Sequence, residues 1–223
     1  GAGRGATVIA PNFASGDHIY ASSVNFFEVL SLSIIPTVQQ TSGSSIHVAN
    51  CHAATFRDIK IDQKANNCIW VEGGAAQFLT YIEEFELGNC TGHGIYIGGS
   101  TLVQDTYIGT GVIATCAGDG IHMDYCSGVY CFGAVDILTC ASGVATYPAT
   151  GKYCTALFFS ETLADSCTGS GFAFIDNGGT VTDVNLNGAW SATNTVHGLI
   201  TSGGVNGLSA NGMRIINNGQ RGV

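Results

Sequence analysis

The sequence predicts an all-β chain, a right-handed parallel β-helix of about eight coils. Three observations predict it. Short alternating apolar runs recur every 23 to 28 residues, the length of one solenoid turn. A row of Cys and then Asn residues repeats with the same period. No amphipathic pattern of period 3.6 persists, and 32 Gly against 3 Pro interrupt any helix while leaving tight turns possible.

The first strand of each coil carries the clearest signal. Its lead apolar residues are Ile19, Ile46, Ile69, Ile95, Ile121, Val144, Phe172 and Leu199, and Val223 opens a further turn. The residues alternate with period 2, which buries one face of a strand. A second strand set reads apolar-x-x-apolar-x-apolar, as in Phe27-Leu30-Leu32, Phe56-Ile59-Ile61, Ile82-Phe85-Leu87, Phe132-Val135-Ile137 and Val181-Val184-Leu186. Asp58, Glu84, Asp105 and Asp183 precede the middle apolar residue, where a short acidic side chain suits a bend or bulge. The corner row is Cys90, Cys116, Cys140, Cys167, Asn194 and Asn218. There Cys fills a tight inward corner as a small hydrophobe, and Asn bonds its like in the next coil. A β-sandwich is the alternative, but the Asn-Gly pairs do not fall at hairpin spacing.

Residues 1–223 read as a single β-helix domain. The chain opens on a strand-like Gly1–Ile9 and stops at the first core residue of a new coil, so the sequence predicts truncation at both ends without caps. Net charge is −9, with 16 acidic residues against 7 Lys and Arg and no basic run, which argues against nucleic acid as a partner. No signal peptide opens the sequence and no apolar run reaches membrane-spanning length. The nine Cys form no CxxC pair and share no ligand-like spacing with His, so no disulfide framework, metal or other cofactor is expected.

The Gly1–Ile9 opening, the Asn/Cys-x-x-x-Gly-apolar corners and the second-strand pattern resemble the pectate-lyase-like superfamily of single-stranded right-handed β-helices. That superfamily includes bacteriophage tailspike depolymerases and pectin-degrading enzymes. The segment Thr91-Gly92-His93-Gly94-Ile95 resembles the Gly-His-Gly motif of polygalacturonase-type hydrolases. The preceding coil, Asn66-Asn67-Cys68-Ile69-Trp70, lacks their Asp pair, and the downstream Arg-x-Lys is missing. The resemblance is therefore strongest to the tailspikes. It implies a homotrimer on a phage tail, or an extracellular protein, that binds and commonly cleaves bacterial surface polysaccharide. A secreted pectin-type hydrolase or lyase and a non-catalytic receptor-binding or structural β-helix are the alternatives.

Strand alternation places the residue after each lead apolar one on the outside. This gives Tyr20, His47, Trp70, Tyr96 and His122 in five successive coils, then Ala145, Ala173 and Ile200. Coils repeat at roughly 4.8 Å, and rings in such a row suit stacking against sugars. Cross-rung stacking that only stabilises the sheet, and burial beneath a loop or a partner subunit, are the alternatives. Two residues beyond Trp70 and His122 stand Glu72 and Asp124, with Gly98 on the rung between. Their backbones would be roughly 10 Å apart, within reach of the carboxyl spacing of inverting glycosidases. Glu72 is then the expected general acid, Asp124 the base and His122 a hydrogen-bonding partner, with the two carboxyl roles reversible. His93 and Asp119, at matching corners of adjacent coils, complete the expected substrate-binding set. Glu83, Glu84 and Glu86 read as a solvated face.

Overall fold

A computed structural model describes residues 7–75 and 78–220. Residues Gly1 to Ala6 of the strand-like opening, and the final Gly222-Val223 step, lie outside the described residues. The described chain contains no helix and is a right-handed parallel β-helix of about eight turns. Every strand pairing is parallel and joins successive coils.

One sheet contains the first strand of each coil: Ile19–Ser22, Ser44–Ala49, Asn67–Glu72, Ile95–Ile97, Ile121–Met123, Val144–Thr146, Phe172–Ile175 and Leu199–Ser202. Its register pairs the lead residues as the period requires. Ile19 faces Ile46, Ile46 faces Ile69, and the row continues through Ile95, Ile121, Val144 and Phe172 to Leu199. From Ile46 to Phe172 these side chains are fully buried inside the cylinder. Each covers the one below, which makes a continuous apolar column that no coil could bury alone.

The remaining strands form the other two faces. In the early coils they are long and bent, Glu28–Ile34, His52–Asp62 and Phe78–Gly88. From Val103 onward each is split at the second bend, as in Val103–Ile108 followed by Gly111–Ala114. The bends are made by residues in the left-handed region, stacked in rows. Ala53, Leu79, Asp105, Gly128, Ala156, Asp183 and Gly207 all have φ between 48° and 78° at the first bend, and Ser31, Asp58 and Glu84 make the second. A third row, Asn89, Thr115, Thr139, Ser166, Thr193 and Asn217, turns the chain just before the Cys/Asn row. Non-glycine residues reach this region at a cost of roughly 1–2 kcal/mol each. The recurrence shows that uninterrupted ladder bonding on either side outweighs the cost.

Two bends of the same kind explain where the second-strand register departs from expectation. Val181-Val184-Leu186 spans the first bend, whereas Phe56-Ile59-Ile61 spans the second. Both give apolar-x-x-apolar-x-apolar because each bend inserts one outward residue. In the first long strand Val29, not Phe27, pairs with Phe56, and Leu30 faces solvent. Phe132 is also exposed, and Cys131 takes the inward place, because the bend Phe132-Gly133-Ala134 holds one residue more than its neighbour.

The corner row stands where the period places it. Cys90, Cys116, Cys140, Cys167 and Asn194 are buried, and all nine cysteines are free thiols. The Cys116, Cys140 and Cys167 thiols lie 3.4 to 3.8 Å from the carbonyls two residues before them. Asn194 Oδ1 accepts the Cys167 amide at 2.9 Å, and Asn218 Oδ1 accepts the Asn194 amide at 3.1 Å. The Asn oxygens thus cap the preceding coil, at the corner that the earlier coils fill with sulfur. Burial pushes the Cys131 and Cys167 thiols up to about 12, so they act as packing groups rather than nucleophiles.

Candidate functional site

The corner that leads into the first sheet is held by a second side-chain ladder. Asp17, Ser44, Asn67, His93, Asp119 and Ser142 occupy one register position. Asp17 Oδ1 accepts the Ser44 amide at 2.7 Å, and Asn67 Oδ1 accepts that of His93 at 2.9 Å. His93 Nδ1 accepts the Asp119 amide at 3.0 Å, and Asp119 Oδ1 accepts that of Ser142 at 3.1 Å. His93 and Asp119 therefore have a clear architectural role, since each supplies a bond that the strand ladder does not make at the corner.

A carboxylate has a second oxygen, and both acids use it on an imidazole. Asp17 Oδ2 accepts from His47 Nδ1 at 2.9 Å, and Asp119 Oδ2 accepts from His122 Nδ1 at 2.8 Å. Such bonds orient each ring with its Nδ1–H toward the carboxylate. Burial, and then the neighbouring His122 ring, push His93 down to about 4. His93, Asp119 and His122 bring three ligand-type atoms within 4.8 Å of one another. The His93 Nδ1 lone pair is engaged by the Asp119 amide and Asp119 Oδ2 by His122, so hydrogen bonds already account for this cluster.

The outward row forms as the alternation requires. Tyr20, His47, Trp70, Tyr96 and His122 are direct neighbours in register. The rings face one another along the coil axis. His47 stacks on Trp70 with centroids 3.9 Å apart and planes 3° from parallel, and Trp70 stacks on Tyr96 at 5.4 Å and 19°. Tyr96 meets His122 edge-on at 5.3 Å, and His122 stacks on Tyr147. The coil spacing explains this: it is close to the separation of stacked aromatic planes, so neighbouring rings cover each other's faces. Largely ring edges and polar tips remain for a ligand, and Tyr20 is the most exposed ring, at 58%.

Glu72 and Asp124 occupy the rungs on either side of Gly98, at the ends of their strands. Both are partly exposed, at 22% and 19% of the side chain. The Gly98-Gly99 step lies between them. A Cβ on Gly98 would sit 1.8 Å from Asp124 Oδ1, and one on Gly99 3.0 Å from Glu72 Oε1. Both carboxylates thus close on the same two glycines, which are short enough to admit them.

Their surroundings differ. Asp124 Oδ1 accepts the Gly99 amide at 2.9 Å, and Oδ2 accepts the Tyr96 hydroxyl at 2.9 Å. Lys152 Nζ lies 3.7 Å from the same Oδ2 and donates to the Gly99 carbonyl at 2.6 Å. Burial and the Asp124 carboxylate push Tyr96 well above the usual phenol range, which keeps it a donor. Glu72 Oε1 accepts only the Ser100 hydroxyl, at 3.2 Å, among the described contacts. Its Oε2 lies 3.3 Å from His47 Nε2, but off-line, so the pair is an electrostatic contact and the buried Nε2 makes no hydrogen bond.

The structure brings Glu72, Trp70, Tyr96 and Asp124 together, with His47 behind Glu72. His93, Asp119 and His122 adjoin this group through Tyr96, and His122 directs its Nδ1 at Asp119 rather than at either candidate carboxylate. Sequence reasoning missed Lys152, Ser100 and Asp17. Asp17 shares its corner position with His93 and Asp119, which was a readable signal. Lys152 reaches back 53 residues from the turn after Pro148, and only the unusually long coil there hints at it. A second outward ladder, Tyr81, Tyr107, Tyr130 and Phe158, also went unread; its rings stack at 4.9 to 5.2 Å on another face. Glu84 and Glu86 are exposed, and Glu86 pairs with Lys60.

The chain matches no protein-family model, no curated protein and no solved structure.

Proposed function

We propose that the outer face of the first sheet binds a polysaccharide and hydrolyses a glycosidic bond between Glu72 and Asp124. The observation that carries this reading is the approach of the two carboxylates, in unlike surroundings, to the Gly98-Gly99 step. Asp124, ringed by the Gly99 amide, the Tyr96 hydroxyl and Lys152, is the general base. It takes a proton from the water whose oxygen bonds to the anomeric carbon. Glu72, whose described hydrogen bonds come only from the Ser100 hydroxyl, is the general acid. Its proton goes to the glycosidic oxygen as the C–O bond breaks. Trp70, Tyr96 and Tyr20 would meet the sugars with edges and polar tips. His122 steadies the far side of Tyr96. In this reading the domain acts as a trimer on a phage tail or outside the cell, as its resemblance to tailspikes implies.

The test is chain shortening and release of reducing ends across a panel of bacterial surface polysaccharides. Glu72→Gln and Asp124→Asn should each reduce turnover by about 10²–10⁴-fold while binding survives. Unchanged turnover in both variants would overturn the assignment.

The face-to-face stacking of the row favours a second reading, a non-catalytic β-helix in which the rings only stabilise the sheet. It requires that no polysaccharide be shortened and that Trp70→Ala alter melting without altering glycan binding.

A further inference from the structure

The corner column of cysteines takes no part in the polysaccharide site. Cys90, Cys116 and Cys140 hold one register position in successive coils, two residues beyond the paired Gly88, Ala114 and Leu138. Their sulfurs therefore form a column that rises roughly 4.8 Å per coil. The column is not sealed from solvent. A surface groove of about 270 Å³ is lined by the three cysteines and by the short side chains of Ala117, Thr139 and Ala141. At 4, 3 and 1% exposed, the cysteines are the floor of that groove.

The thiol protons are weakly held. The Cys90, Cys116 and Cys140 sulfurs donate to the carbonyls of Gly92, Ala114 and Leu138 at 3.4, 3.8 and 3.4 Å, and a thiol is a weak donor. The neighbouring Cys116 and Cys68 thiols hold Cys90 below the ordinary thiol range. The spacing selects the ion. A thiolate–zinc bond is about 2.3 Å, so two bonds of that length in line span roughly 4.6 Å, close to the coil rise of roughly 4.8 Å. Thiolates favour soft ions such as Cu(I). Zinc needs ligands converging tetrahedrally, and among the described residues the one group of three ligand-type side chains that converges is His93, Asp119 and His122, at another corner.

We propose that the Cys90–Cys116–Cys140 column binds a soft d10 cation such as Cu(I) or Ag(I) in linear two-coordinate geometry, with Cys116 as the shared ligand. Binding is a proton exchange. Each of two thiols releases its proton to water as its sulfur bonds the ion, and no electron is transferred. Affinity therefore falls as pH is lowered. The formal net charge of −9 favours the approach of cations. Sequence spacing conceals the site, because its ligands stand 24 to 26 residues apart and only coil stacking brings them together.

The experiment adds one equivalent of Ag(I), or of Zn(II), to the whole reduced chain and measures retention against a competing monothiol, with folding followed by circular dichroism. Wild type should retain Ag(I) at least tenfold more tightly than Cys116→Ser, and X-ray absorption should find two sulfurs about the ion. Cys116→Ala, which also lacks the sulfur but keeps an apolar corner, should lose as much, so the test does not depend on one variant folding. Cys126 and Cys154 are register partners as well but lie fully buried on the inner side of their strands. Cys154→Ser should therefore retain Ag(I) as wild type does. Zn(II) should be held at least tenfold more weakly than Ag(I). Retention by the Cys116 variants equal to that of wild type, equal losses in Cys116→Ser and Cys154→Ser, or four sulfurs about the ion would overturn the proposal.

Discussion

Replacing Gly98 by Ala tests whether the glycine step is what holds the candidate carboxylates in place. Gly98 has φ of 144°, a conformation that side chains adopt at a cost of about 1–3 kcal/mol. Its new Cβ would lie 1.8 Å from Asp124 Oδ1 and 3.0 Å from the Tyr125 amide nitrogen. The carboxylate must therefore swing away, which breaks its bonds from the Gly99 amide and the Tyr96 hydroxyl. Bonds to a charged acceptor contribute about 1.5–3 kcal/mol each, partly regained from water at this partly exposed site. A total of about 3–5 kcal/mol follows, and at about 2–4 °C per kcal/mol the melting temperature should fall by roughly 10 °C. Melting followed by circular dichroism measures the loss. The mechanism is then isolated by a double-mutant cycle with Asp124→Ala. Once the side chain is gone, the same Gly98→Ala change should cost only the backbone part. A melting temperature within a degree of wild type, or an equal cost in both backgrounds, would refute the reasoning.

Two further outcomes follow from the corner ladders. Asn194→Ala removes the acceptor of the Cys167 amide and the donor to the Ala164 carbonyl in a buried corner, so urea unfolding should show a loss of about 2–4 kcal/mol; Asn194→Cys, which refills the corner with the side chain of the earlier coils, should recover part of it. His93 is held to about 4 in the folded chain against 6.5 when unfolded. Its contribution is therefore complete above pH 6.5 and is lost as pH falls toward 4, because the unfolded state takes the proton first, a loss of up to roughly 3 kcal/mol. His93→Asn, which copies the amide-accepting role of Asn67, should flatten the acid limb of stability between these values, and an unchanged limb would remove His93 as its source.

The first sheet was legible because parallel stacking turns a sequence period directly into spatial register. The row from Ile19 to Leu199, the outward row from Tyr20 to His122 and the Cys/Asn corner all stand where the spacing places them. The bends were less legible. A left-handed residue such as Asp58 or Asp183 adds one outward position, and two bends of this kind leave the same apolar signature. Counting Phe132 as inward shifted that coil by one residue and hid the ladder through Tyr130, which precedes the truly inward Cys131. Within the candidate site, the carboxylates and rings followed from alternation. Their hydrogen-bond partners did not, because Lys152 arrives from a different turn and the bonds of Tyr96 depend on how the glycine step folds.

The two corner ladders also explain why a stability device and a candidate site coincide on the same face. A Ser or Asn at the entry corner can cap the neighbouring coil and be finished. An Asp at that position caps with one oxygen and has another left, which Asp17 and Asp119 turn toward the outward ring row. The imidazoles they hold are thereby oriented by the scaffold itself rather than by a mobile loop. His47 is pinned between Asp17 and the Trp70 face with its Nε2 toward Glu72, and His122 is pinned between Asp119 and Tyr147 beside Tyr96. Each imidazole stacks on one neighbouring ring and bonds one Asp, so the polar groups near Gly98 are fixed by the same contacts that hold the coils together. A β-helix can in this way carry preorganised acid and base groups without a cavity, provided two small residues leave space between them. Gly98 and Gly99 meet that condition here.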